Sequence, residues 1–357
     1  MKPYFYKELC VIKLSFMTQK LVLVTGGTGF VGGHCILQLL QRGYTVRTTI
    51  RSAAKQGQVK EMLINGGMRS FDNLAFVEAD LSDDRNWAEA VRDCEYVLHV
   101  ASPIFLRLPK HEDEMILPAV EGTIRVLKAA RDAGVRRVVI TSSFGAVGYS
   151  HTDPNTMITE KEWTDPADKS LSAYLKSKTL AEKAAWEFMA REGGHLELTV
   201  INPMAIFGPS LGPVLSSGFE LLKKILDGSM KATPNIDLGI VDVRDLADLH
   251  LRAMTDAKAK GQRFLALSGG VMSLHAIALL FRASYGQRAA KVTTKVIPDW
   301  LVRLAALVKP EAKAIVPQLG RVRNASNEKA KTVLGWSPRS NEEAVLATAE
   351  SLFRYNL

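Results

Sequence analysis

A phenol and an amine four residues apart on one helix can move a proton at an oxygen atom, and Tyr174 and Lys178 have that spacing. Both fall within residues 172–191, where the pattern predicts a helix, so they project from the same face. A free phenol ionises near pH ~10 and is a poor acid or base at neutrality. An ammonium one turn away stabilises the phenolate and is expected to bring that pKa toward the working range. Taken alone, the pair is an ordinary helix-surface combination. Its weight comes from Thr141-Ser142-Ser143, at the C-terminal end of a predicted strand. Ligands of open α/β sheets lie at the carboxyl ends of the strands, where the Ser143 hydroxyl could donate to a carbonyl oxygen. The plainer alternative is a serine capping the next turn.

The elements that must position these groups begin near the start of the chain. Residues 21–24 form a short apolar run suited to a strand buried on both faces. Gly26, Gly27, Gly29, Gly32 and Gly33 follow, then Ile36, Leu39 and Leu40 at helical spacing, a stop at Gly43, and a second strand-like run over residues 44–50. Glycines between a strand and a helix let the backbone approach a pyrophosphate, and the helix N-terminus offers unpaired N–H groups. The pattern reads as G-x-G-x-x-G or G-x-x-G-x-x-G, and its context favours a dinucleotide over a structural turn. An NAD site ordinarily presents an acid about 20 residues further on for the ribose 2′-hydroxyl. No Asp or Glu occurs between Gly26 and Lys60; Arg47, Arg51 and Lys55 stand there instead. Guanidinium groups suit a 2′-phosphate, the alternative being a solvated basic face. The cofactor expected is NADPH/NADP.

With 357 residues, 47% of them hydrophobic, there is material for a large core. The net charge of +9 is spread along the chain rather than gathered into a run, which argues against nucleic acid as a partner. Cys10, Cys35 and Cys94 match neither a zinc spacing nor a disulfide framework. Lys7, Glu8 and Lys13 interrupt every apolar stretch of residues 1–16, and no apolar run is long enough to span a bilayer. The expectation is a cytoplasmic protein with no membrane partner and no metal; His99 and His250, lacking ligands at metal spacing, read as packing residues.

Alternation of strands and helices predicts helices over residues 53–64, 83–91 and 113–133 and strands over 74–77, 96–100, 135–141 and 196–201. The fold class is α/β, a doubly wound parallel sheet with a smaller, mainly helical C-terminal substrate domain. The expected division is 17–203 with 241–268 for dinucleotide binding, 204–240 with 269–357 for substrate, and 1–16 as an extension. The long polar loop 148–170 reads as a plausible lid.

Thr25-Gly26-x-x-Gly29-x-x-Gly32, the Ser143 segment and Tyr174-x-x-x-Lys178 together resemble the extended short-chain dehydrogenase/reductase family, in the NAD-dependent epimerase/dehydratase superfamily. The stretches GYTVRTTIRS, EADLSD, YVLHVASP, VRRVVITSSFGAV, SKTLAEKAAW, NPMAIFGP and VDVRDLADLH resemble its dihydroflavonol reductase and cinnamoyl-CoA reductase-like branch, over about residues 21–255. The resemblance implies a Rossmann fold and a cofactor site of Thr25, Gly26, Gly29, Phe30, Val31 and Gly32 at the pyrophosphate. It puts Arg51 and Lys55 at the 2′-phosphate, Asp80 and Leu81 beside adenine, and Ala101, Ser102, Pro203 and Ile206 toward the nicotinamide. It also implies that Tyr174 protonates a carbonyl oxygen as hydride reaches the carbon, that Lys178 lowers the Tyr174 pKa and holds the nicotinamide ribose, and that Ser143 polarises the carbonyl.

Departures narrow the substrate. Gly148 stands where plant flavonoid reductases have Asn, residues 172–178 lack the cysteine of the N-W-Y-C-Y-G-K stretch, and Val120-Glu121-Gly122-Thr123 replaces the V-N-G-T of the sugar-nucleotide branch. The reading is NADPH-dependent reduction of a small hydrophobic or aromatic aldehyde or ketone by a monomer or homodimer. Ile104, Phe105, Phe144, Met204 and Phe207 are the pocket candidates. The alternatives are a sugar-nucleotide epimerase/dehydratase, a sterol dehydrogenase, and a dinucleotide-sensing binding protein without catalysis.

Overall fold

Val22 and Val24 point to one side of the first strand and Leu23 to the other, and all three are fully buried. Such a strand must be covered on both faces. In the computed structural model of the protein, which describes residues 20–103, 111–151, 153, 155–213 and 216–357, it lies near the middle of a parallel sheet. The elements, in chain order, are β1 (Leu21–Val24), α1 (Phe30–Gln41), β2 (Thr45–Ile50), α2 (Gln56–Asn65), β3 (Leu74–Glu78), α3 (Trp87–Val91), β4 (Tyr96–His99), α4 (Asp113–Asp132), β5 (Arg137–Thr141), α5 (Ala173–Glu192) and β6 (Glu197–Pro203). They continue with β7 (Ala205–Phe207), α6 (Ser217–Leu226), β8 (Asp237–Leu238), β9 (Ile240–Asp242), α7 (Val243–Thr255), β10 (Gln262–Ala266), β11 (Met272–Ser273), α8 (Leu274–Tyr285), α9 (Asp299–Ala305), α10 (Pro310–Ile315), α11 (Glu328–Leu334) and α12 (Asn341–Arg354).

The seven-stranded sheet has the order β10-β6-β5-β4-β1-β2-β3, all parallel. This is the doubly wound Rossmann arrangement, with the reversal of strand order beside β1 and β4. Val22, Val24, Leu98 and Ile201 pack on one face under α1, α7 and α11. Leu23, Val97, Val138 and Val200 pack on the other under α3, α4 and α5. A further core joins β7 and β9, which pair in parallel, to α6, α8 and α12.

Two expectations change. The helix foreseen over 83–91 starts only at Trp87, because side chains satisfy the preceding backbone locally. Asp83 accepts from Arg85 N, the Asn86 amide donates to Glu78 O at 2.8 Å, and Asn86 takes a φ of 65°. Nor are the described residues of loop 148–170 free in the manner of a lid. Ile158 pairs with the backbone of Asn324 and Ser326, while Arg263 donates to the carbonyls of Glu160 and Glu162 and lies 3.8 Å from the Trp163 ring centre. Ile104, Phe105 and the 1–16 extension lie outside the described residues.

Candidate active site

The glycine turn is shaped by backbone contacts that leave no room for side chains. A Cβ on Gly32 would lie 2.3 Å from the Gly26 carbonyl oxygen, and Gly26 itself has a φ of +75°. Threonines hold the turn in place: Gly26 N donates to Thr49 Oγ1 (3.0 Å), and Thr25 Oγ1 accepts from Val100 N and Ala101 N (3.0 and 2.9 Å). Thr25 is thus fully buried beneath the loop and ties β1 to β4 rather than facing the cleft. Gly29 is the N-cap of α1 and no side chain caps that helix, so its first N–H groups are left for a ligand. A close-approach turn facing an uncapped helix start fits a dinucleotide pyrophosphate.

A cleft of about 960 Å³ runs from this turn across the carboxyl ends of the strands. Gly26, Gly29, Phe30, Val31 and Gly32 line one end with Arg51, Asp80 and Leu81; Ala101, Ser102, Pro203 and Ile206 lie along it; Ser143 and Tyr174 are in the same wall. Among the three basic residues of the second strand region, the structure draws sharp distinctions. Arg47 Nη1 donates to the carbonyls of Glu89, Ala90 and Arg92 (3.1, 3.1 and 2.7 Å), so it holds the end of α3 and is not available to a phosphate. Lys55 is exposed on a short 3₁₀ turn and does not line the cleft. Arg51 does line it, and among the described residues no hydrogen bond or ion pair occupies its guanidinium. Asp80 beside it stays below the usual carboxylate range, chiefly through the hydroxyl and N–H of Ser82, with Arg51 assisting.

Ser172 caps α5 by accepting from Leu175 N, which fixes where Tyr174 and Lys178 leave the helix. Ser143 follows β5, and its Oγ accepts from Gly145 N at 3.0 Å. The plainer capping role is therefore real, and it still leaves the hydroxyl proton to donate into the cleft. Half of the Tyr174 surface (50%) is accessible, but it opens into the concave wall rather than onto bulk water. Burial accordingly pushes the phenol pKa up, Tyr149 adds to this, and a hydrogen bond with Ser143 works the other way. Lys178 Nζ donates to Ser102 Oγ (2.9 Å) and sits 5.9 Å from the Tyr174 ring centre. Its own burial brings it down to about 8. The lowering of the Tyr174 pKa foreseen from Lys178 is thus not the net effect of these side chains. Burial of the phenol outweighs the hydrogen bond with Ser143, and Lys178 is not among the groups that act on it.

Beneath the wall lies a buried set that sequence reasoning did not single out. Glu182 accepts from Ser142 Oγ, Asn202 Nδ2 (2.6 Å) and Arg263 Nε (2.6 Å), and Asn202 Nδ2 also donates to the carbonyl of Ser143. His99 and His250 bond to the hydroxyls of Thr25 and Thr141, and burial lowers them to about 3 and 4, so both are neutral packing groups. Of the pocket candidates, Phe144 and Phe207 contribute to the cleft edge but are 3% and 0% exposed, anchored in cores. Met204, Leu221, Leu238 and Val271 supply the apolar wall, and Tyr149, Asp237 and Arg323 its polar side chains. Met204 was foreseen, within NPMAIFGP; the other six come from segments that no local motif marks.

Fold and cleft define a doubly wound dinucleotide-binding protein with a Ser, a Tyr and a Lys gathered at the carboxyl ends of its strands. The model of the NAD dependent epimerase/dehydratase family matches residues 22–266. An uncharacterized oxidoreductase of Schizosaccharomyces pombe is 34% identical over 94% of this chain and 98% of its own. Cinnamoyl-CoA reductase CAD2 of Medicago truncatula is 31% identical over 93% and 95%. The crystal structure of yeast methylglyoxal/isovaleraldehyde reductase Gre2 with NADPH superposes with a TM-score of 0.76 at 26% identity, covering 94% of this chain and 98% of that one. The chain belongs to the NAD dependent epimerase/dehydratase family, in its extended short-chain dehydrogenase/reductase branch with the cinnamoyl-CoA and dihydroflavonol reductases.

Proposed function

We propose that this chain reduces an aldehyde or ketone to the alcohol with NADPH, Tyr174 giving the proton. The observation that carries the reading is a single cleft lined by the glycine cradle and free Arg51 at one end and by Ser143 and Tyr174 at the other. A 2′-phosphate would find the Arg51 guanidinium without a hydrogen-bond or ion-pair partner among the described residues, where an acid would repel it. The solved yeast relative, crystallised with NADPH, supports the same cofactor.

When bound, NADPH supplies hydride to the carbonyl carbon. Ser143 and Tyr174 share one wall, so both hydroxyls can reach the carbonyl oxygen, Ser143 to polarise it and Tyr174 to protonate it. The upward push on the phenol keeps its proton in place until oxygen charge develops. Lys178 would then lie beside the tyrosinate and could hold the ribose hydroxyls next to the nicotinamide. The apolar wall of Met204, Leu221, Leu238 and Val271 favours substrates with a hydrophobic or aromatic body.

The test is NADPH consumption against a panel of aldehydes, ketones, flavanonols and acyl-CoA thioesters. Turnover is expected with hydrophobic aldehydes or ketones; no oxidation with any carbonyl compound would overturn the reading.

A further inference from the structure

Arg323 enters the substrate end of the cleft from the segment between α10 and α11. Its guanidinium carbon lies 4.1 Å from the centre of the Tyr149 ring, and Tyr149 in turn acts on the Tyr174 phenol. The backbone carrying it is fixed, since Ile158 N donates to Asn324 O (2.8 Å) and Ser326 N to Ile158 O (2.9 Å). Yet Arg323 Nε is buried without a hydrogen-bond partner, and no acid pairs with the guanidinium among the described residues. A buried guanidinium N–H left unmade is costly. The acid lining the same end, Asp237, makes no ion pair there among the described residues, and burial favours its neutral form. Burial and the neighbouring Arg321 both work against the charge on Arg323. A carboxylate in the cleft would offset the burial and the Arg321 charge that work against the guanidinium.

We infer that Arg323, stacked on Tyr149, binds a carboxylate carried by the substrate, so that the substrate class is oxo acids with an apolar body. This rests on the reductase reading for where the reacting carbonyl lies. A planar guanidinium offers two parallel N–H donors to a carboxylate, and the aromatic stack holds its plane. The adjoining apolar wall takes the hydrocarbon between carboxylate and carbonyl.

Binding of an unreactive probe separates this inference from the reductase reading. 3-Phenylpropanoate and 3-phenylpropanamide are titrated calorimetrically into the NADP-loaded protein. The carboxylate is expected to bind about tenfold more tightly than the amide, the gain of a charge-assisted pair. Arg323→Gln should abolish that ratio while leaving NADPH affinity unchanged in a folded protein. Arg323→Met, which keeps an unbranched stem but no guanidinium, should do the same and serves if the Gln variant folds poorly. Equal binding of the two probes to the wild type, binding of neither, or a ratio that survives both substitutions overturns the assignment. A carboxylate preference that depends on Arg323 in a protein that oxidises no NADPH would uphold it and sink the reductase reading instead.

Discussion

The two ends of the cleft are built by different means. At the cofactor end the turn that meets the pyrophosphate is backbone, with Arg51 the side chain beyond it: Gly26 and Gly32 touch, threonines at 25 and 49 hold the turn, and α1 starts uncapped. At the substrate end the surface is side chains delivered by distant segments, with Tyr149, Met204, Leu221, Asp237, Val271 and Arg323 each from a different stretch. A backbone site tolerates almost no substitution at its few contact points, and it can serve one cofactor geometry. A side-chain site can change one residue at a time without disturbing the sheet. Cofactor chemistry should therefore be brittle in this protein, and substrate preference adjustable.

The comparison is broken most severely at the boundary between core and cleft. Phe207 touches the cleft yet is buried against α6 and α12, so Phe207→Ala should cost about 3–5 kcal/mol in urea unfolding and leave the substrate ranking intact. A reordered ranking at unchanged stability would place Phe207 among the adjustable wall residues. Next, Tyr174→Phe keeps the ring and removes its proton; kcat should fall by roughly 100-fold or more while NADPH binding, followed by fluorescence, is retained. Near-normal turnover would mean another proton donor. Arg51→Asp should then move the NADPH/NADH preference by about tenfold through the lost phosphate contact. An unmoved ratio in kcat/KM would remove Arg51 from the cofactor end.

The smallest effect is a pH dependence of stability. Lys178 has a native pKa of about 8 against 10.5 for an unperturbed lysine. Between those values the unfolded chain binds more protons than the native one, so stability rises with pH. The penalty is fully present below about pH 8 and fades toward pH 10.5. Relative to Lys178→Met, the wild type should gain on the order of 1 kcal/mol between pH 8 and 9. A flat or falling difference would show that Lys178 is not desolvated.

The same contrast explains what could be read from the sequence. The β1-α1-β2 unit and the Tyr174/Lys178 pair are local patterns, and local spacing fixes their geometry. Arg47 and Arg51 look equivalent in sequence, four residues apart on and just past one strand. Only the position of the α3 carbonyls, a tertiary fact, separates the pinned guanidinium from the one with no hydrogen-bond partner among the described residues. The start of α3 was hidden because Asp83 and Asn86 offered the backbone local partners in place of a first helical turn. Arg323 carried no signal at all: it reaches Tyr149 through pairing of residues 324–326 with Ile158, more than 150 positions away in sequence. Phe144 and Phe207 followed strands as pocket residues would, but the packing of β7 against α12 put the second of them in a core.

The central claim is that one cleft joins NADPH to a carbonyl compound whose oxygen meets Tyr174. It is tested most directly by running the wild-type protein on aromatic ketones and aldehydes with NADPH deuterated at the transferable position and weighing the product by mass spectrometry. The account predicts an alcohol carrying one deuterium on the former carbonyl carbon, formed in step with NADPH loss. Alcohol without the label, or no alcohol while the cofactor remains bound, would contradict it.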